Sequence, residues 1–327
     1  MKKIMNKENE KKSKVKTIVL WITLSLVGLI LLSTVINLIL THTEMREIDY
    51  GEKIEIDGGT MNVETYGSGE DVIVILPGSG NASPAMDFKY LAGLMSENHT
   101  VVIPEPFGYG LSDITDKERT FTNIANEIHE CLSKLGYKSY TLMGHSLSGM
   151  TMLEYANLYP EEVNAVIALD TSVPKQLSAY TEFTKLFQSI AERLFRFLRV
   201  TGGVRIYYEF GERLGILQTT MTNEEWEMFK HISYDRHYNK NIIEEIDNFM
   251  NTEAPRMQDM TYPDSIPVLT FLSGDSAAPF SEWEQWHRDL TSNEASSLEI
   301  MSGGHYVYYF HAEEIAEKAI ALIRDIQ

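Results

Sequence analysis

Apolar residues recur along positions 44–169 in two alternating patterns, which predict strands and helices in turn. The run DVIVIL at 71–76 is continuously apolar, as is typical of a strand buried on both faces of a sheet, whereas 120–135 has the spacing of an amphipathic helix. Other strands are predicted at 53–57, 61–66, 100–104, 139–143 and 163–169, and other helices at 85–96 and 147–159. This alternation indicates an α/β fold, a mostly parallel doubly wound sheet with helices on both faces.

The alternation is interrupted between about residues 174 and 262, where the sequence is helical and rich in aromatic residues. It then resumes with a strand at 268–272, a helix at 282–290, a strand at 297–301 and a terminal helix at 312–326. The simplest interpretation is one domain over residues 44–327 that carries a helical cap at about 174–262.

A stretch of 24 uncharged, mostly apolar residues at 17–40 precedes this domain. As a helix it would span about 36 Å, enough to cross a hydrocarbon core of about 30 Å. Seven lysines precede the stretch and only Arg46 follows it closely, so the positive-inside rule places a basic tip, residues 1–16, in the cytoplasm and the domain outside. We expect a single-pass transmembrane anchor in the cell membrane, with a cleaved signal peptide or a buried helix as the alternatives.

Charge and cysteine content exclude several classes of function. The chain has 28 Lys and Arg against 47 Asp and Glu, and because its N-terminal end is basic, residues 48–327 carry a net charge of −23. Nucleic-acid binding needs clustered basic residues, so we expect no nucleic acid among the partners. The single cysteine, Cys131, excludes an intrachain disulfide and a cysteine-rich zinc site.

The sequence TLMGHSLSGM at 141–150 lies where a predicted strand gives way to a helix. Ser146 would occupy the sharp turn between them with its hydroxyl exposed, and the small residues Gly144 and Ser148 would let strand and helix approach each other. The pattern resembles the nucleophile elbow of the α/β-hydrolases, with Ser148 where that motif usually has glycine. The resemblance extends over almost all of residues 44–327, through PGSG at 77–80, PEPFGYGLSD at 104–113 and SGGH at 302–305.

This resemblance implies the α/β-hydrolase fold and a Ser-His-Asp triad. Ser146 would be the nucleophile, and His305, on a glycine-flanked loop after a strand, would be its base. Two aspartates follow strands at suitable points of the chain: Asp275, the usual family position and the expected acid, and Asp170, the alternative. The resemblance also implies an oxyanion hole formed by the backbone amides of Ser79 and Leu147.

The aromatic residues of the cap are expected to form an apolar pocket over Ser146, which would favour an acyl or small hydrophobic ester. We therefore predict a carboxylesterase- or lipase-like serine hydrolase acting on a small-molecule acyl substrate, without a cofactor or a metal. One alternative is a proline-iminopeptidase-like aminopeptidase, in which Glu224, Glu225, Glu244 or Glu245 would bind the free amine. The other is a non-catalytic ligand-binding module on the same fold.

Overall fold

One sheet of eight strands organises the computed structural model, which describes residues 2–210, 220–277 and 282–326. The strands are β1 (Glu52–Ile56), β2 (Gly59–Tyr66), β3 (Val72–Leu76), β4 (Thr100–Glu105), β5 (Tyr140–His145), β6 (Val163–Leu169), β7 (Val268–Ser273) and β8 (Ser297–Met301). Their order is β1-β2-β4-β3-β5-β6-β7-β8, in which β2 runs antiparallel to β1 and β4 and all other neighbours are parallel. The predicted, mostly parallel α/β sheet is confirmed.

Helices connect these strands. They are α1 (Lys2–Met45), α2 (Pro84–Asp87), α3 (Lys89–Met95), α4 (Phe121–Lys134), α5 (Ser148–Leu158), α6 (Glu182–Thr201), α7 (Gly203–Phe210), α8 (Asn223–Arg236), α9 (Lys240–Asn248), α10 (Ala254–Arg256), α11 (Gly274–Ala277), α12 (Trp283–Arg288), α13 (Val307–Phe310) and α14 (Ala312–Asp325). Short 3₁₀ segments occupy Pro160–Glu162 and Pro174–Ala179, and a π-helical turn occupies Phe249–Glu253. The helix predicted at 85–96 is split into α2 and α3, because buried Phe88 leaves the helical conformation between them.

Each face of the sheet buries its own apolar core. Successive residues of a strand point to opposite faces, so that in β5 Leu142 packs into one core and Met143 into the other. Ile128 of α4 covers the first core, and Ile315 of α14 covers the second. Strands buried on both sides explain why the sequence of β3 is continuously apolar rather than alternating.

Every regular element described between β6 and β7 is a helix, and turns and loops connect them. We call its helices α6 to α10 the cap. Residues 211–219 of the predicted cap lie outside the described residues, as does Met1 of the basic tip. The parallel strands end at one edge of the sheet, and the loops at that edge carry the residues considered next.

The N-terminal helix has a long apolar surface that faces away from the protein. Its segment Lys11–Met45 is long and apolar enough to cross a membrane, and its most apolar part is not buried in the structure. A membrane span and a signal sequence both have these properties.

Candidate active site

Ser146 lies on a strained turn between β5 and α5. Its φ of +56° is a left-handed conformation, which a residue other than glycine adopts only where the surrounding structure fixes it. A Cβ on Gly149 would lie 2.5 Å from the Cβ of Thr171, so this glycine lets α5 pack against the loop after β6. Ser148 fits the usual glycine position because its hydroxyl donates a hydrogen bond to the His145 carbonyl oxygen, at 2.8 Å.

Three side chains from different loops form a continuous hydrogen-bonded chain. The Oγ of Ser146 lies 2.9 Å from Nε2 of His305, and Nδ1 of the same imidazole lies 2.6 Å from Oδ2 of Asp170. Asp170 is buried, and its other oxygen, Oδ1, accepts a hydrogen bond from the Ser273 amide at 2.9 Å. This arrangement fixes one imidazole nitrogen on the carboxylate and leaves the other facing the serine hydroxyl.

The carboxylate bonded to His305 is therefore that of Asp170 and not that of Asp275, which we expected. Strand β6 lies directly beside β5, which leads into Ser146, whereas β7 is one strand further away. Asp275 follows β7 by two residues, in the short helix α11, and its side chain is exposed. The distance across the sheet thus favours Asp170 as the partner of His305.

Ser79 and Leu147 both border the cavity that contains Ser146. Among the residues that the structure describes, neither amide has a hydrogen-bond acceptor. Since backbone amides of folded proteins are normally paired, these two unpaired donors are available to an oxygen atom of a bound ligand.

His145 holds the loop that carries His305. Its Nε2 lies 3.1 Å from the His305 carbonyl oxygen, and the two imidazole rings are in contact, with centroids 4.5 Å apart. Burial lowers the pKa of His145 well below its ordinary value, so the ring is neutral and donates from Nε2. Adjacency to Ser146 in the sequence gave no signal of this contact.

Residues 71–213 match the family model for the alpha/beta hydrolase fold. The chain has the α/β-hydrolase fold. Across 318 residues, 93% of this chain and 96% of the relative, it is 27% identical to the uncharacterized protein YbdG of Bacillus subtilis (strain 168).

One further relative is similar to a part of this chain in sequence, and one solved structure is similar to it in fold. Serine hydrolase BPHL of Mus musculus is 27% identical over 118 residues, which are 35% of this chain and 40% of BPHL. The solved structure of a thermophilic esterase from Thermogutta terrifontis (malate bound) superposes with a TM-score of 0.64 over 84% of this chain and 99% of the esterase, at 17% identity. The fold, the family match and the hydrolases among the relatives together support hydrolase activity for this chain.

Two cavities meet at His305. The first has a volume of about 480 Å³, contains Ser146 and is bordered by Gln188 and Glu192 of α6. The second has a volume of about 530 Å³, and five aromatic side chains border it: Tyr208, Phe229, Tyr306, Tyr309 and Phe310. Aromatic residues of the predicted cap segment border both cavities: Tyr180, Tyr238 and Phe249 border the first, and Tyr208 and Phe229 border the second.

The cap carboxylates that we considered for binding an amine lie elsewhere. Glu224 and Glu225 begin α8 and Glu244 and Glu245 lie in α9, and among the described residues none of the four borders the cavity around Ser146. Glu192 of α6 does border it, and burial raises the pKa of this carboxyl to about 7. The sequence could not identify Glu192, because a single carboxylate in an amphipathic helix usually faces solvent.

Proposed function

We propose that this α/β-hydrolase is a serine hydrolase that cleaves carboxylic esters through an acyl-enzyme on Ser146. The observation that carries the proposal is the continuous hydrogen-bonded chain from Ser146 through His305 to Asp170. A serine hydroxyl alone is a weak nucleophile, and this chain supplies it with a base whose tautomer is fixed by a carboxylate.

The proposed mechanism assigns one task to each group. Ser146 Oγ attacks the ester carbonyl carbon while Nε2 of His305 takes its proton, and Asp170 stabilises the resulting imidazolium. The tetrahedral oxyanion accepts hydrogen bonds from the amides of Ser79 and Leu147, and such a donor typically contributes about 3–4 kcal/mol to the transition state. The imidazolium then protonates the leaving alcohol, and a water molecule activated by the same base hydrolyses the acyl-enzyme.

The aromatic cavity beside His305 supports an ester with a hydrocarbon group. Its rings offer apolar surface to an alkyl or acyl chain, and burying such a chain is favourable by about 0.8 kcal/mol per methylene. The cavity shares His305 with the one around Ser146, so a substrate could place its carbonyl at the serine and its chain among the rings.

We also propose that the catalytic domain lies on the outer side of the cell membrane. The apolar helix at 17–40 is long enough to span, and the lysines before it favour a cytoplasmic N-terminus.

An aminopeptidase is the second candidate. Its substrates carry a free amine that needs an acidic partner, and Glu192 is a carboxyl group that borders the cavity around Ser146. Its buried surroundings and raised pKa favour the neutral acid, however, and a neutral acid is a poor partner for an ammonium group.

One set of measurements on the full chain separates these possibilities. Wild type should react with a fluorophosphonate and hydrolyse p-nitrophenyl esters faster than aminoacyl-naphthylamides, whereas a folded Ser146→Ala variant should do neither. Preference for the naphthylamides would favour the aminopeptidase. A wild type that neither reacts nor hydrolyses would favour a non-catalytic module.

A further inference from the structure

Helix α6 presents an apolar stripe to its surroundings. Six large side chains recur on one face, with fractional exposures from 49% to 76%: Phe183, Leu186, Phe187, Ile190, Leu194 and Phe197. Ile206 and Tyr207 of the adjoining helix α7 are also more than half exposed. A contiguous apolar surface of this kind marks an interaction site on a protein.

The C-terminal end of α6 is hydrogen-bonded to the apolar helix α1. The Ser33 hydroxyl donates to the Thr201 carbonyl oxygen at 2.7 Å, and Nδ2 of Asn37 donates to the Arg199 carbonyl oxygen at 3.0 Å. The last carbonyls of a helix lack their usual partners within it, and these α1 side chains donate to two of them; the Arg199 carbonyl oxygen also accepts from the Gly202 amide, at 3.3 Å. One turn later, Arg205 of α7 forms an ion pair with Glu44, at 2.7 Å.

These contacts fix the depth of the C-terminal end of α6 relative to the apolar stretch 17–40. Ser33 and Asn37 lie inside that stretch, and Ser33 precedes Leu40 by about 10 Å along the helix axis, at 1.5 Å per residue. Helices that lie in a membrane interface bury their apolar face by about 5–10 Å. If α1 spans the membrane, the end of α6 lies at the depth where its stripe contacts acyl chains.

The opposite side of α6 faces the candidate active site. Gln188, Ala191 and Glu192 border the cavity that contains Ser146, whereas the six apolar side chains point outward. A single helix thus separates that cavity from the surface that carries the stripe.

We propose that the apolar stripe of α6 inserts into the outer leaflet of the lipid bilayer, and that the enzyme takes an amphipathic, long-chain ester directly from that leaflet. The occupant of the stripe is lipid because α6 is hydrogen-bonded to α1, whose own apolar surface is unburied and long enough to cross a bilayer. The identity of the substrate as an ester rests on the function proposed above, whereas the position of α6 does not.

The position of α6 can be tested without any activity. Full-length chain with Cys131→Ala, and with Leu186→Cys or Leu194→Cys, is labelled with a fluorophore and placed in phosphatidylcholine nanodiscs. Lys138→Cys, an exposed position on the hydrolase domain, is the matched control. Lipids with a spin label on the acyl chain should quench both α6 positions strongly and leave the control nearly unaffected.

Equal quenching at all three positions would overturn the proposal. Weak quenching accompanied by cross-linking between two α6 helices would assign the stripe to a second copy of the chain and would overturn it as well. Two labelled positions are used so that misfolding of one variant does not decide the result.

A double variant, Leu186→Gln with Leu194→Gln, tests whether the substrate comes from the bilayer. Glutamine is a good helix former, so the substitutions should preserve α6. Hydrolysis of a long-chain ester embedded in phosphatidylcholine vesicles should fall by about tenfold, because the variant loses apolar contact with the bilayer. Hydrolysis of water-soluble p-nitrophenyl acetate should change by less than about twofold, because neither leucine borders the cavities.

Equal losses of hydrolysis rate on the embedded and the water-soluble ester would overturn the proposal that the substrate enters from the bilayer. Wild type that hydrolyses neither ester would overturn the proposed ester chemistry, and the quenching result would still determine where α6 lies.

Discussion

Replacing Asp170 with Asn tests the assignment of the acid most directly. Asp170 uses both carboxylate oxygens: Oδ2 accepts from His305 Nδ1 at 2.6 Å and Oδ1 accepts from the Ser273 amide at 2.9 Å. An asparagine has only one acceptor oxygen. If that oxygen stays on the Ser273 amide, the side-chain NH₂ group faces His305 and donates to Nδ1, so the proton of the imidazole moves to Nε2.

A proton on Nε2 prevents His305 from accepting the proton of Ser146. In the opposite orientation, the asparagine oxygen would accept from His305 Nδ1 and keep the correct imidazole tautomer. The asparagine NH₂ group would then face the backbone N–H of Ser273, and a buried donor would be left unsatisfied. Either orientation also removes the negative charge that stabilises the imidazolium. We expect kcat to fall by about 10⁴-fold, the loss that the wrong tautomer causes in such triads, which corresponds to about 5.5 kcal/mol in the activation free energy.

The assay is the steady-state hydrolysis of one activated ester by full-length wild type, Asp170→Asn and the matched control Asp275→Asn. Because Asp275 is exposed and does not contact His305, its variant should stay within about threefold of wild type. Thermal unfolding of each variant separates loss of catalysis from loss of the fold. An Asp170→Asn enzyme of nearly wild-type kcat beside a slow Asp275→Asn enzyme would refute the reasoning.

Three other perturbations test the fold and the topology. Gly149→Ala should destabilise the protein by about 1–3 kcal/mol, because its Cβ would overlap Thr171, and a melting temperature equal to that of wild type would contradict this packing. Burial raises the pKa of Glu245 to about 7 from an ordinary 4.5, so between these pH values the folded state holds a proton that the unfolded state has lost. The free energy of unfolding therefore falls as pH rises through this range, by at most about 3 kcal/mol. Glu245→Gln should remove this fall, as measured by unfolding titrations at about pH 5 and about pH 8. Protease added to intact cells should degrade the catalytic domain and spare residues 1–16, and a protected domain would contradict the proposed orientation.

The strands could be predicted because burial on both faces leaves a simple signature. A short, continuous apolar run such as the one in β3 is typical of a parallel strand when helical patterns precede and follow such runs along the chain. The break at Phe88 could not be predicted, because an apolar residue in an apolar helical pattern does not reveal that the backbone changes direction there. Such a break depends on tertiary packing, which places Phe88 in the core between the sheet and α14.

In the candidate active site, too, the residues defined by local sequence could be predicted, whereas the residue defined by long-range packing could not. The position of Ser146 follows from a turn of a few residues, and His305 is identified by the loop on which it lies. The choice between Asp170 and Asp275 depends on the spatial order of β5, β6 and β7 and on how far each loop extends. Both aspartates follow a strand in the sequence, so no local pattern distinguishes them.

Helix α6 shows why a periodic pattern alone cannot say what an amphipathic helix faces. The usual expectation is that the apolar face packs on the core and the polar face meets water. In α6 the polar residues Gln188 and Glu192 turn inward to the cavity around Ser146, and the apolar stripe turns outward. An inverted orientation of this kind is costly in water, because it exposes apolar surface and buries a carboxyl group at the same time. It becomes favourable when the outer surroundings are hydrocarbon, which is the environment that α1 requires for its own surface if it spans the membrane.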